Sequence, residues 1–372
     1  MSIGKSAGKS AGLVRAALLA LLLIGSNGFA QTQGEGDLAT RNSRRVDEPV
    51  KQVGDQRIVV KTAEGTGTIP LYADRPINAP APDVRRVVVI VHGILRNADV
   101  YFATGKKIVQ NAGDAATGTM VVAPQFLTVT DAKAFNLSPD VLGWVRSGWA
   151  RGDAAAGPAP VSSFSALDAV LAHFANRDLY PALKEVLLIG HSAGGRILNR
   201  YVATSDGEAV LRRTGIRIRY VIANPSNYLY FDRDRPSADG KLQPADMQAC
   251  PALNDWPYGL DKAPPYVTKQ DVKSLEARYA SRNVVYLLGG ADTDPYLHFF
   301  DRSCSGMAQG PNRLARGHPY FDYLKGRHAT NFKQHIVEVP GIGHDNLGMF
   351  TSDCGVAVLF EKKLPTHCPV FR

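Results

Sequence analysis

A chain of 372 residues is too long for a small module and is ordinary for one large α/β domain with insertions. Its 45% hydrophobic and 21% charged residues are typical of a globular core. The formal net charge is +9, but the basic side chains are not clustered, so we expect no nucleic-acid partner.

The first thirty residues have the pattern of a secretory signal peptide. A basic stretch precedes the apolar run AALLALLLIG (16–25), and small residues follow at Gly28 and Ala30. Ten apolar residues are too few to cross a bilayer of about 30 Å, so we expect no membrane anchor. We therefore predict a signal peptide over 1–30, a flexible polar leader over 31–54 and a secreted or periplasmic protein.

The remainder, 55–372, predicts one α/β domain. Two alternating segments, QRIVVKTAEG and GTIPLYADRP, predict an antiparallel strand pair. Six β-branched apolar runs then alternate with helix-like stretches such as SFSALDAVLAHFANR and DVKSLEARYASR, which open with a Ser or an Asp. This alternation predicts a mostly parallel sheet with helices on both faces. The six runs are RRVVVIVHG, GTMVVAPQF, EVLLIGHS, IRYVIANPS, NVVYLLGG and QHIVEVPG.

Long insertions interrupt this alternation at about 128–162, 228–270 and 295–333. Loops of this length are usually functional or disordered. The first two contain every tryptophan of the chain. We expect the aromatic residues there to form walls of a substrate cleft, the alternative being that they only pack the loops down. These candidate substrate-binding residues are Trp144, Trp149, Trp256 and Tyr258.

Three glycines surround one serine in the stretch GHSAGG. Gly190, Gly194 and Gly195 flank Ser192, although each glycine weakens a regular element by roughly 0.5–1 kcal/mol. The stretch follows the buried-strand pattern VLLI and precedes a helical pattern, so the chain must turn sharply at Ser192. Such a turn exposes the hydroxyl at the carboxyl edge of the sheet, beside a helix N-terminus that favours negative charge. This is the position of a nucleophile.

In this context the G-x-S-x-G motif resembles that of the α/β-hydrolase superfamily, and the resemblance covers about residues 84–360. The segment HGILRNADVYF is similar to secreted esterase and polyester-depolymerase branches. The segment CSGMAQGPNRLARGHPYFDYL is similar to secreted bacterial and fungal hydrolase-like proteins of no known activity. The resemblance implies the α/β-hydrolase fold.

The superfamily order of serine, acid and histidine implies a catalytic triad. Ser192 would be the nucleophile and His344, which follows the run QHIVEVPG, would be its base. Asp292, directly after NVVYLLGGA, would be the acid, with Asp294 as the competing candidate.

The resemblance also implies an oxyanion hole. We assign its two backbone amides to Ile94 and Ala193, with Leu95 as the alternative to Ile94. We expect His92 to brace this loop, and we expect Asn97 to cap a helix that begins near residue 98.

Four cysteines, an even number without a close C-x-x-C pair, predict two disulfides and no metal site. Three pairings are possible. We favour the local pair Cys354–Cys368, which leaves Cys250 with Cys304.

The sequence therefore predicts a secreted, monomeric serine hydrolase that cleaves a carboxylic ester through an acyl-enzyme on Ser192, without a cofactor. Its substrate would be a small ester or a polymer. One alternative keeps the triad but acts as an acyltransferase, an amidase or a peptidase. Another alternative is a non-catalytic secreted binding protein on a hydrolase scaffold.

Overall fold

A computed structural model describes residues 1, 2, 4, 45–237 and 239–372. The chain divides into two units, Met1–Asp47 and Glu48–Arg372, and the sheet with its helices belongs to the second. The predicted signal peptide lies outside the described residues apart from positions 1, 2 and 4. The second unit begins earlier than the expected end of the leader at residue 54. Val50 is buried there and its N–H donates to Asp131 at 2.8 Å.

A nine-stranded mixed sheet forms the centre of this unit, in the order β1-β2-β4-β3-β5-β6-β9-β10-β11. Its strands are β1 Gln56–Thr62, β2 Gly65–Ala73, β3 Arg86–Val91, β4 Thr119–Pro124, β5 Glu185–His191, β6 Arg217–Ala223, β9 Val284–Gly289, β10 His335–Val339 and β11 Val370–Phe371. A separate hairpin pairs β7 Asp234–Pro236 with β8 Leu242–Pro244.

The strand predictions are confirmed. β1 and β2 pair antiparallel, with Gln56 opposite Leu71. Each of the six apolar runs forms one strand. Within this group of six, every pair of adjacent strands is parallel. Because parallel strands end at the same edge of a sheet, the loops after β3, β5, β9 and β10 can meet there.

Helices connect the strands. Their bounds are α1 Ala98–Ala112, α2 Val129–Ala134, α3 Ser163–Phe174, α4 Ala193–Thr204, α5 Ala209–Arg213, α6 Pro265–Thr268, α7 Val272–Ala280, α8 Cys304–Met307, α9 Arg313–Arg327, α10 Asn346–Thr351 and α11 Asp353–Leu359. The two helix-like stretches named from the sequence are α3 and α7. Each has a side-chain cap, from Ser162 and Asp271 respectively.

Helices cover both faces of the sheet, as predicted. On one face, Ile90 and Val121 belong to a buried cluster that includes residues of α1, α10 and α11. Side chains alternate between the two faces along a strand. On the opposite face, the Tyr286 hydroxyl of β9 lies 2.7 Å from the Tyr279 hydroxyl of α7. The Tyr279 hydroxyl also accepts a hydrogen bond from Asn199 of α4. Both faces are therefore buried, which explains the uninterrupted apolar runs.

The segment 295–333 was expected to be an insertion, but its second half is part of the strand–helix alternation. That half contains α9, which packs on β9 and β10. α9 is thus the helical crossover between two parallel strands rather than an insertion, and its polar sequence concealed this role.

Both favoured cysteine pairs are joined in the structure. The Cys250–Cys304 disulfide, with a Cα–Cα distance of 5.9 Å, links the second and third insertions. The Cys354–Cys368 disulfide, with a Cα–Cα distance of 5.7 Å, ties α11 to the C-terminal segment. Among the described residues, no helix is both long and apolar enough to cross a membrane.

We expect the double substitution Cys354→Ser and Cys368→Ser to lower the free energy of unfolding by about 3 kcal/mol, because this disulfide closes a loop of roughly 15 residues. Urea unfolding of the oxidised wild type and the variant measures the difference. A loss below about 1 kcal/mol would show that the cross-link does not constrain the unfolded chain.

Candidate active site

A strained turn between β5 and α4 carries Ser192. Its φ is 59° and its ψ is −117°, a backbone conformation that a residue with a side chain rarely adopts. The Ser192 N–H donates to the carbonyl oxygen of Ala223 on β6 at 3.0 Å, which fixes the turn.

Close backbone approaches explain the glycines around this turn. A Cβ on Gly190 would lie 2.5 Å from the carbonyl oxygen of Gly194. A Cβ on Gly194 would collide with the carbonyl oxygen of Val91 at the end of β3. The glycines therefore let α4 start directly against the sheet, which places Ser192 at the sheet edge.

The loops after β9 and β10 bring an acid and a histidine to Ser192. The Nε2 atom of His344 lies 2.9 Å from Ser192 Oγ, and its Nδ1 atom lies 2.7 Å from Asp292 Oδ2. Asp292 is buried, whereas Asp294 is exposed and accepts a hydrogen bond from the N–H of Tyr296 at 2.8 Å. The structure thus brings together Ser192, His344 and Asp292, and it leaves Asp294 outside the cluster.

The environment of His344 favours the neutral imidazole. Burial lowers the pKa of His344, and although the hydrogen bond to Asp292 opposes this, the positive charges of Arg313 and Arg196 lower the pKa further. With its proton on Nδ1, the ring donates to Asp292 and leaves Nε2 free to accept from the Ser192 hydroxyl.

Arg313 is a neighbour of the cluster that the sequence did not reveal. Its buried guanidinium lies 3.3 Å from Asp292 Oδ1, on the oxygen opposite His344, and it also donates to the carbonyl oxygen of His298 at 3.3 Å. Arg313 is the first residue of α9. It holds the Asp292 carboxylate from the side that the histidine does not occupy.

A small cavity of about 180 Å³ opens beside Ser192. Its lining includes Ile94, Leu95 and His344. Ala193 is the first residue of α4, where backbone N–H groups have no partner within the helix. Ile94 and Leu95 therefore line the cavity beside Ser192, and Ala193 follows Ser192 directly in the chain.

The loop after β3 is braced from behind. The N–H of Phe126 donates to His92 Nε2 at 2.9 Å, and His92 Nδ1 lies 2.9 Å from the carbonyl oxygen of Gly93. Burial lowers the pKa of His92 to about 4, so the ring is neutral and acts as a structural link. This is the bracing position that was expected of His92.

A buried ion pair also holds this loop. Arg96 Nε lies 2.7 Å from Asp131 Oδ2, and neither side chain is exposed to solvent. Asp131 additionally accepts hydrogen bonds from the backbone and the side chain of Thr128. Asn97 occupies the position before α1 but makes no capping hydrogen bond, and it lines the cavity instead, which corrects the expected capping role.

The aromatic residues of the first insertion do not form a cleft wall, which corrects the expectation for Trp144 and Trp149. Both are fully buried. The Trp149 ring lies 4.6 Å from that of His92 and stacks on Phe126 at 5.5 Å, so this insertion packs beneath the loop after β3.

Trp256 and Tyr258 are partly exposed and line a second, larger cavity of about 440 Å³. Phe299 lines both cavities, so the second cavity adjoins the first. Unlike Trp144 and Trp149, these two aromatic residues therefore face an open cavity.

No family model matches the chain, and no curated protein matches it in sequence. In structure it is similar to a poly(3-hydroxybutyrate) depolymerase from Bordetella parapertussis, at 22% identity over 88% of this chain and 96% of the other, with a TM-score of 0.55. It is also similar to poly(aspartic acid) hydrolase-1 from Sphingomonas sp. KT-1, at 22% identity over 80% and 95% of the two chains, with a TM-score of 0.51. These likenesses show the α/β-hydrolase fold that the motifs predicted.

We expect Arg313→Met to raise the pKa of His344, because the substitution removes a positive charge that lowers it. Titration of the His344 imidazole by NMR measures the shift without depending on any activity. Arg313→Lys is the matched control, since it keeps a cation at this position. An unchanged or lowered pKa in Arg313→Met, with the fold intact by circular dichroism, would contradict the role given to Arg313.

Proposed function

We propose that the chain is a serine hydrolase that cleaves a carboxylic ester through an acyl-enzyme on Ser192. The observation that carries this proposal is the continuous hydrogen-bonded path from Ser192 Oγ through His344 to Asp292. A serine hydroxyl is a weak nucleophile until an adjacent base takes its proton, and this path supplies an oriented base.

In the first half-reaction, Ser192 Oγ bonds to the ester carbonyl carbon while His344 Nε2 takes the hydroxyl proton. The carbonyl oxygen becomes an oxyanion, which the amides of Ile94 and Ala193 would stabilise. As the oxyanion collapses, the bond to the alcohol breaks and the leaving alcohol takes the proton from His344.

In the second half-reaction, water attacks the acyl-enzyme with His344 again as the base. The carboxylic acid leaves, and the proton returns to Ser192. Asp292 stabilises the imidazolium in both steps and holds the tautomer, while Arg313 keeps the carboxylate in place.

Two further observations support a hydrolase. Two solved structures to which the chain is similar are named a poly(3-hydroxybutyrate) depolymerase and a poly(aspartic acid) hydrolase. The small cavity beside Ser192 adjoins a larger one, which leaves room for a substrate that extends away from the reacting carbonyl.

We also propose that the enzyme works in the periplasm or outside the cell. The N-terminal pattern is that of an export signal. Two disulfides are typical of proteins that reside in an oxidising compartment.

We expect the mature protein to hydrolyse at least one member of a series of 4-nitrophenyl esters from acetate to palmitate. We expect Ser192→Ala to hydrolyse the same ester at least about 10³-fold more slowly. The release of nitrophenolate measures both rates, and the chain-length optimum reports the depth of the acyl site. Asp294→Asn is the matched control, because Asp294 lies outside the hydrogen-bonded cluster and should keep near wild-type turnover. Substantial turnover by Ser192→Ala would contradict the proposal.

A further inference from the structure

The larger cavity beside the site is rich in arginine, and we call it the arginine pocket. Its lining includes Arg151, Arg196, Arg200, Asp255, Trp256, Tyr258 and Asp301. The mechanism proposed above uses none of these side chains.

Two of the three arginines have clear partners. The Arg200 guanidinium donates to the carbonyl oxygens of Pro257 and Arg196 and to the side chain of Asn227. Arg151 forms an ion pair with Asp153 at 2.6 Å. Both arginines therefore have structural roles that explain their presence.

Arg196 differs from them. Its Nε atom is buried and makes no hydrogen bond within the part of the chain that the structure describes. A buried donor without an acceptor costs free energy, and the cost is larger when the group is charged. Because Arg196 also lines the cavity, a ligand bound there would supply this missing acceptor.

The two carboxylates of the pocket are already engaged elsewhere. Asp301 accepts hydrogen bonds from Asn227, from the Tyr258 hydroxyl at 2.8 Å and from the Ser303 hydroxyl at 2.7 Å. Asp255 pairs with Lys262 at 2.6 Å. The field of Asp301 helps to keep Arg196 charged, but its oxygens are occupied by other donors.

Arg196 also lies close to the reacting groups. Its backbone N–H donates to the carbonyl oxygen of Ser192 at 2.9 Å, so Arg196 lies in the first turn of α4, directly after the serine. Arg196 is among the charges that lower the pKa of His344, which also places it near the reaction centre.

We propose that the arginine pocket binds a free carboxylate of the substrate, a few bonds from the scissile carbonyl, with Arg196 as its cation and with Trp256 and Tyr258 as its walls. The planar guanidinium matches a carboxylate in geometry and remains charged when it is partly desolvated. This inference rests on the proposed function, because it assigns a substrate class to the same site.

The kinetic test compares two 4-nitrophenyl esters of adipic acid. In the first the other carboxyl group is free and charged, and in the second it is a methyl ester without charge. We expect the wild type to favour the charged ester at least about 10-fold in kcat/KM, and Arg196→Gln to lose this ratio. Arg196→Lys should retain part of the ratio, because it keeps a cation. Arg212→Gln, at an exposed position on α5, is the matched control and should keep the full ratio.

A binding test separates this inference from the proposed function. Calorimetry measures the binding of monomethyl adipate to Ser192→Ala and to Ser192→Ala with Arg196→Gln, and we expect at least about 10-fold weaker binding to the second. If no ester is hydrolysed but this difference is found, the proposed function fails and the carboxylate site stands.

Two outcomes would overturn the inference. One is a wild-type ratio near one together with equal binding to the two Ser192→Ala proteins. The other is binding of inorganic phosphate to Ser192→Ala as tight as that of monomethyl adipate, which would contradict the choice of a carboxylate.

Discussion

The close contact between the start of α4 and the ends of β3 and β5 is the constraint on which the site depends. Val91 and Gly190 come so near to Gly194 that no side chain fits at either glycine. At this contact Ser192 adopts a strained conformation with positive φ and lies at the sheet edge, directly before the first amides of α4. The parallel order of the strands then delivers the other groups, since the loops after β9 and β10 end at the same edge.

Buried arginines hold the loops that carry these groups. Arg96 fixes the loop after β3 through Asp131, and Arg313 fixes the Asp292 carboxylate from the side opposite His344. A buried ion pair contributes little net stability compared with apolar packing, but removing one partner costs several kcal/mol. In this protein such pairs fix positions rather than add stability, because each one holds a polar loop in a single arrangement next to Ser192.

The sequence predicted the features that follow from local rules. Glycine spacing and a preceding apolar run located Ser192, and the end of the last parallel strand located His344. The orientation of loop side chains could not be predicted in the same way. Trp149 lies in a long loop whether it faces a cleft or packs inward, and its burial against His92 and Phe126 shows that it packs inward. Arg313 was missed because its contact with Asp292 depends on where α9 begins in space, which no local pattern specifies.

Labelling by a fluorophosphonate tests the nucleophile most directly, because this reagent reacts with a serine only when an oriented base activates it. The purified protein is treated with the reagent, and the labelled peptide is identified by mass spectrometry. We expect one phosphonyl group per chain, on Ser192, and no labelling of His344→Ala. An unlabelled wild type, or a label on another residue, would contradict the claim that this turn, His344 and Asp292 form a working nucleophile.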